Sequence, residues 1–232
     1  MSLILAIETA TRRGSVALVR DEDVCARKVL GEREASATLL VAIDEVLRAG
    51  RIDLSGVDLF AAAIGPGSFT GLRAGLATVR ALARASGRPA VGVPTLWAVA
   101  YAEGGPGDHV CVVLPAGRRE LFCQLLRVGR EAVEEMGDPV YLTPSALLER
   151  ESWPEGLVWA GEGARALRQE LAQAAAERGL RWREGRRGET GAWTLAEGVP
   201  ELASAVARLA RVGVALRPLY VRPADAELKW GR

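Results

Sequence analysis

Two short segments carry groups whose types and spacing could do chemistry. Gly65-Pro66-Gly67-Ser68-Phe69-Thr70-Gly71-Leu72-Arg73 follows the apolar run Leu59 to Ile64 and precedes a segment rich in alanine and leucine. A buried strand turning sharply into a helix accounts for this order. The glycines and the proline turn the chain, Ser68 or Thr70 caps a helix running to about Ser86, and Gly87 ends it in a left-handed conformation. Such a loop either presents backbone N–H groups to an anion or lets a neighbouring backbone approach closely. It is not a Walker phosphate loop, because the glycine spacing differs and no lysine follows. The second segment is Glu8-Thr9-Ala10-Thr11, a carboxylate and two hydroxyls in the turn after an amino-terminal apolar run. Its carboxylate either holds a phosphate-bound metal or bonds to its own turn.

Other chemistries lack their residues. The sole histidine, His109, cannot build a two-histidine metal site, and it leaves serine and cysteine nucleophiles without a second motif to supply a base. Cys25, Cys111 and Cys123 are odd in number, widely spaced and free of any C-x-x-C, which reads as small hydrophobes in a reducing compartment. Two lysines, Lys28 and Lys229, leave few candidates for a Schiff base or a lysine phosphate site. Thirty basic and 29 acidic side chains nearly cancel, which argues against binding nucleic acid through a large uniform field and leaves a local patch open. Arg178, Arg181, Arg183, Arg186 and Arg187, interleaved with Trp182, are either such a patch or a solvated surface.

The elements that position these residues repeat. The first half reads as strands near 3–7, 14–20 and 24–30, a helix near 35–49, the strand ending at Ile64, and the helix after Gly71. Glu103 to Asp108 is the best linker. The second half follows loosely, with strands near 109–114, 120–127 and 132–136, a helix near 144–151, a strand at 157–159, and a helix opened by Gly161-Glu162-Gly163. A last helix near 195–211 precedes an extended tail, and 178–192 is the least regular stretch. Two α/β lobes, 1–104 and 105–232, each βββαβα, are what an actin-like or sugar-kinase-like fold shows, although periodicity by itself does not separate it from other α/β arrangements. With hydrophobic residues near half, 232 residues can bury a sizeable core. No run approaches the length of a membrane span, and Glu8, Arg12 and Arg13 interrupt any leader-like stretch, so a soluble cytoplasmic chain is expected.

The first hairpin, Leu3-Ile4-Leu5-Ala6-Ile7-Glu8-Thr9-Ala10-Thr11 with Ser15-Val16-Ala17-Leu18, taken with the 65–73 loop, resembles the TsaB family, glycoprotease-like proteins formerly called YeaZ. Arg33-Glu34, Gly92-Val93-Pro94-Thr95-Leu96 and Pro218-Leu219-Tyr220-Val221-Arg222 extend the resemblance over nearly the whole chain. It implies a non-catalytic, dimerising subunit of the bacterial machinery that makes threonylcarbamoyladenosine beside the tRNA anticodon. The implied partners are the catalytic paralogue TsaD in a heterodimer, the ATPase TsaE in a ternary complex, and tRNA indirectly. A homodimer of the isolated chain and a nucleotide at the partner interface stay open, and no cofactor is expected on this chain alone.

In the resembled family the two first-lobe helices pair with matching helices of the other subunit. Leu40, Ile43 and Leu47 on the first and Ala74, Ala77 and Ala81 on the second are the implied contacts; the alternative is that both stripes cover only their own sheet. An alanine-rich face suits close helix packing. The catalytic paralogue holds metal through H-x-x-x-H on its first-lobe helix, whereas this chain has Glu34-Ala35-Ser36-Ala37-Thr38-Leu39 there. An ATP-dependent small-molecule kinase of the same fold is the other reading, and it needs Glu8, with Thr9 and Thr11, on the phosphate side. Where many family members carry Asp-Ala-Arg-x-Gly-Glu-Val-Tyr, this chain has Pro115-Ala116-Gly117-Arg118-Arg119-Glu120-Leu121-Phe122, so Arg118 or Arg119 replaces the missing guanidinium or the loop has lost that role.

Overall fold

A computed structural model describes residues 2–31, 35–150, 152–185, 187–199 and 201–221. Arg33-Glu34, Arg186, Arg222 and Lys229 lie outside the described residues. The first sheet contains β1 (Leu3–Glu8), β2 (Ser15–Arg20), β3 (Asp23–Val29), β4 (Leu59–Ala63) and β5 (Ala90–Val93) in the order β3-β2-β1-β4-β5. Helices α1 (Ala35–Ala49) and α2 (Phe69–Ser86) follow β3 and β4, and α3 (Thr95–Glu103) follows β5. The second sheet contains β6 (His109–Gly117), β7 (Glu120–Val128), β8 (Val133–Glu135), β9 (Val140–Leu142), β10 (Val158–Ala160), β11 (Arg181–Glu184) and β12 (Ala192–Leu195). Its order is β11-β12-β10-β6-β7-β8, with β9 beside β7. Helices α4 (Pro144–Leu148), α5 (Glu162–Ala166), α6 (Arg168–Glu177) and α7 (Ala203–Leu209) complete the chain.

The duplication is explicit in the pairing. β1 runs antiparallel to β2 and parallel to β4, and β6 runs antiparallel to β7 and parallel to β10. This is the two-lobed actin-like, sugar-kinase-like α/β architecture. Central strands covered on both faces read as unbroken apolar runs, as β1 does.

Side-chain size divides the two faces of the first sheet. Leu5, Ile7, Val16, Leu18, Phe60 and Ile64 pack with Leu39, Ile43 and Val46 of α1 and Leu76 and Val79 of α2. The opposite face is thinner, with Ala6, Ala17, Ala61 and Ala63, and it receives Ala203, Val206 and Ala207 of α7. α7 and α3 therefore lie between the two sheets, and α4 to α6 cover the far face of the second. β2 itself caps α7: the Ser15 hydroxyl accepts from Leu202 N (3.3 Å) and Ala203 N (3.1 Å).

Several expectations are corrected. Residues 192–195 form β12, and the last helix begins only at Ala203, because Trp193 and Leu195 are drawn into the second sheet's core. The stretch expected to be least regular contains β11, an edge strand paired with β12. The last helix and tail, expected with the second lobe, lie on the first sheet: Val214 exchanges two backbone bonds with Gly92 (2.8 Å each), and Leu219 N donates to Ile64 O (2.8 Å). β5, α3 and β9 were not anticipated. α3 is apolar nearly all round, so it shows no face for periodicity to detect.

Candidate functional site

The turn after β1 and the loop before α2 interlock. Glu8 is wholly buried; its Oε1 accepts from Ala10 N (2.5 Å) and Thr11 N (2.7 Å), and its Oε2 from the Thr11 hydroxyl (2.6 Å). Ser68 N donates to Ala10 O (2.7 Å), and the Thr9 hydroxyl donates to Gly71 O (2.8 Å). A Cβ on Gly67 would overlap the Ala10 carbonyl, and one on Gly71 would overlap the Thr9 carbonyl. Close backbone approach is thus what these glycines provide. Ser68 caps α2 by accepting from Gly71 N (3.2 Å), Thr70 is exposed in its first turn, and Gly87 ends the helix at φ 66°. The Gly65–Pro66 peptide is cis, and Gly65 N donates to the Thr95 hydroxyl (3.0 Å). Arg73 lies over the Phe69 ring, 3.7 Å from its centroid.

Burial raises the Glu8 carboxyl from an ordinary 4.5 to about 7; hydrogen bonds from Thr11 and Ala10 partly offset this, and the charge of Glu162 adds to it. Of the two roles open to this residue, bonding to its own turn is the one present. Both carboxylate oxygens are engaged, which weakens the kinase reading.

Beyond Thr11 a cavity of about 390 Å³ separates the lobes, lined in part by Thr11, Arg13, Glu103, Gly161, Glu162 and Arg165. Glu103 Oε2 accepts from Gly161 N (2.8 Å) and from Arg165 Nη1 (2.7 Å). Ala10 N and Thr11 N in one turn and Gly161 N in the facing one are therefore engaged by the chain's own carboxylates. A nucleotide phosphate here would find those three donors engaged and would meet the Glu162 carboxylate, with Arg13 the facing cation of the lining. Among the described residues no group of three or more histidine, cysteine, aspartate or glutamate side chains could hold a metal. Sequence reasoning missed the Glu103–Gly161–Arg165 cluster: Glu103 is 58 residues from Gly161, and nothing local marks the pairing.

The helical face divides in two. Ile43, expected at a partner contact, is buried against the sheet, and Leu47 is half-buried in the same cluster; both sit on the inward stripe with Leu39 and Val46. Leu40, one residue off that stripe, is 64 % exposed, and Val41 is 59 % exposed. On α2, Leu72, Leu76 and Val79 point inward, Ala77 and Ala81 are exposed, and Ala74 is half-exposed. Val41 was missed, although its signal was an apolar residue directly after Leu40.

Among the described residues the basic cluster is partly paired with the chain's own acceptors. Arg181 and Arg183 both pair with Glu189, Arg168 pairs with Glu184, and Arg178 donates to the carbonyls of Ala174, Leu148 and Arg150. Arg118 and Arg119 hold positive φ in the β6–β7 hairpin, and Glu120 accepts from the Tyr141 hydroxyl, tying β9 to β7. His109 starts β6 opposite Arg127. Cys111 and Cys123 are buried with their sulfurs 3.3 Å apart, whereas Cys25, expected as a small core residue, is exposed because edge strand β3 presents it to solvent. No helix among the described residues is long and apolar enough to cross a membrane.

Comparison with known proteins agrees with this topology. The family described as "TsaD: tRNA N6-adenosine threonylcarbamoyltransferase" matches residues 29–178. The tRNA threonylcarbamoyladenosine biosynthesis protein TsaB of Escherichia coli (strain K12) is 39% identical over 97 residues, 42% of each chain. That of Haemophilus influenzae is 33% identical over 127 residues, covering 53% of this chain and 54% of its own. The chain thus matches about half the length of these curated relatives. The structure of YeaZ from Pseudomonas aeruginosa superposes with a TM-score of 0.72 at 25% identity, covering 95% of this chain and 100% of that one. The interlocked hairpin and glycine loop, the duplicated sheets and these matches together show that the chain belongs to the TsaB/YeaZ family of tRNA threonylcarbamoyladenosine biosynthesis proteins.

Proposed function

We propose that the chain is a non-catalytic subunit that pairs through α1 and α2 with the catalytic relative TsaD in the cytoplasm, and that threonylcarbamoyl transfer to tRNA takes place on the partner. One observation carries this reading: Leu40 and Val41 project from α1 into solvent beside α2, whose exposed Ala77 and Ala81 leave its backbone open to a partner helix. Small residues allow helix axes to approach to the short end of the usual ~8–10 Å range. The engagement of Glu8 with its own turn, and of Glu103 with Gly161 and Arg165, supports the non-catalytic half of the reading. TsaE joins the pair, and the isolated chain uses the same face to self-associate.

The test is co-purification with TsaD combined with mass spectrometry of digested tRNA after depletion of this chain. Depletion removes threonylcarbamoyladenosine; Ala77→Arg fails to restore it and fails to pair, whereas Glu8→Gln restores it. Unchanged modification after full depletion, or a dependence on Glu8 greater than on Ala77, would refute the proposal.

A further inference from the structure

From Leu59 to Ala102 the chain contains no aspartate or glutamate, and it carries Arg73, Arg80, Arg84 and Arg88. Arg88 lies 3.7 Å from Asp58, but the other three have no carboxylate within ion-pair distance among the described residues. At 3.6 residues per turn, Phe69, Arg73, Arg80 and Arg84 fall on one arc of α2 about 60° wide, forming a strip roughly 22 Å long. Thr70, Ala74, Ala77 and Ala81 occupy the neighbouring arc. On its other side the strip adjoins the carboxyl-terminal tail: Arg80 Nη2 donates to Leu216 O (2.7 Å), and the Phe69 and Tyr220 rings lie 6.0 Å apart. Phe69 and Tyr220 are each 54 % exposed, and Arg217 on the tail is exposed as well.

Guanidinium groups without described carboxylate partners, beside half-exposed rings of which Phe69 has one face taken by Arg73, are suited to a phosphate backbone whose bases stack on the open ring faces. An apolar helix partner is served by the adjoining alanine arc, and the arginine arc would set three like charges against it. We propose that this strip, formed by Phe69, Arg73, Arg80 and Arg84 of α2 with Arg217 and Tyr220 of the tail, binds a single-stranded stretch of tRNA. The inference rests on the reading that the chain works in tRNA threonylcarbamoylation, and it adds a direct contact to RNA on a surface separate from the alanine arc.

The test is fluorescence anisotropy of the full chain with unmodified tRNA between about 50 and 200 mM salt. Three to four phosphate contacts predict a slope of log affinity against log salt of roughly −2 to −3. Arg73→Gln with Arg84→Gln should weaken binding at least about tenfold at the lower salt and flatten the slope by about 1.4. Phe69→Ala should weaken it at least about fivefold and leave the slope unchanged. Arg181→Gln with Arg183→Gln, whose guanidiniums already pair with Glu189, should change neither. Arg84→Gln alone, at an exposed helix position, guards against a folding artefact. Absence of tRNA binding by the wild-type chain at low salt overturns the proposal, as does equal affinity of the arginine variant. Loss of TsaD pairing in that variant with tRNA affinity intact also overturns it and assigns the strip to an acidic protein surface. Failure of the pairing reading is seen separately, in Ala77→Arg retaining its partner.

Discussion

Glu8 shows how one buried side chain sets a measurable pH dependence. Burial lifts its carboxyl to about 7 from 4.5, so between those values the folded chain retains a proton that the unfolded chain has released. Stability from this group is complete below about 4.5 and is lost as pH rises through 7, a change of about 3 kcal/mol. Urea denaturation at pH 5, 6.5 and 8 should show this decline. Glu8→Gln should flatten it and exceed the wild type at pH 8, since an amide keeps the acceptor for Ala10 N and Thr11 N and donates to the Thr11 hydroxyl. A slope that survives in the glutamine variant would assign the pH dependence to other groups. Gly71→Ala tests the close approach directly. Its methyl would overlap the Thr9 carbonyl, and thermal melts should register a loss of about 1–3 kcal/mol.

At the level of elements, α2 carries separate tasks on separate arcs. Leu76 and Val79 belong to the core, so Leu76→Ala should cost about 2–5 kcal/mol in a thermal melt whatever the state of association. Ala77 is exposed, so Ala77→Arg should leave the melt within about 0.5 kcal/mol of wild type while size-exclusion chromatography loses the paired species. Unfolding by Ala77→Arg would instead place that arc in the chain's own core. Loss of the helix cap in Ser68→Ala should cost about 1 kcal/mol, because Gly71 N loses its acceptor.

For the whole molecule, the return of α7 and the tail to the first sheet matters most. α7 covers the alanine face of β1, β2 and β4 and meets α3 between the sheets. Ending the chain at residue 200 should therefore expose Ile4, Ala6, Ala17, Val19 and Ala61 together and yield an aggregating, poorly cooperative product. A cooperative melt from that fragment would show that the first lobe is stable without its last helix.

The sequence by itself determined the strands of the first hairpin, the loop after Ile64 and the carboxyl-terminal limit of α2, because glycines and apolar runs act within a few residues; it set the start of α2 after Gly71, whereas the helix begins at Phe69. It also carried the duplication, since two similar orders of elements demand similar sheets. Tertiary structure decided which face each residue serves. Ile43 and Leu40 are three residues apart and equally apolar, yet the sheet buries one and leaves the other in solvent. The sheet likewise took Leu195, expected to open the last helix, into β12 beside Trp193, where burial between β10 and β11 outweighs a helical pattern. The pairing of Glu103 with Gly161 and Arg165, the sharing of Glu189 by Arg181 and Arg183, and the α2 arginines that meet no carboxylate among the described residues depend on contacts between residues that no local pattern connects. Charge and burial are properties of neighbours in space, and folding chooses those neighbours.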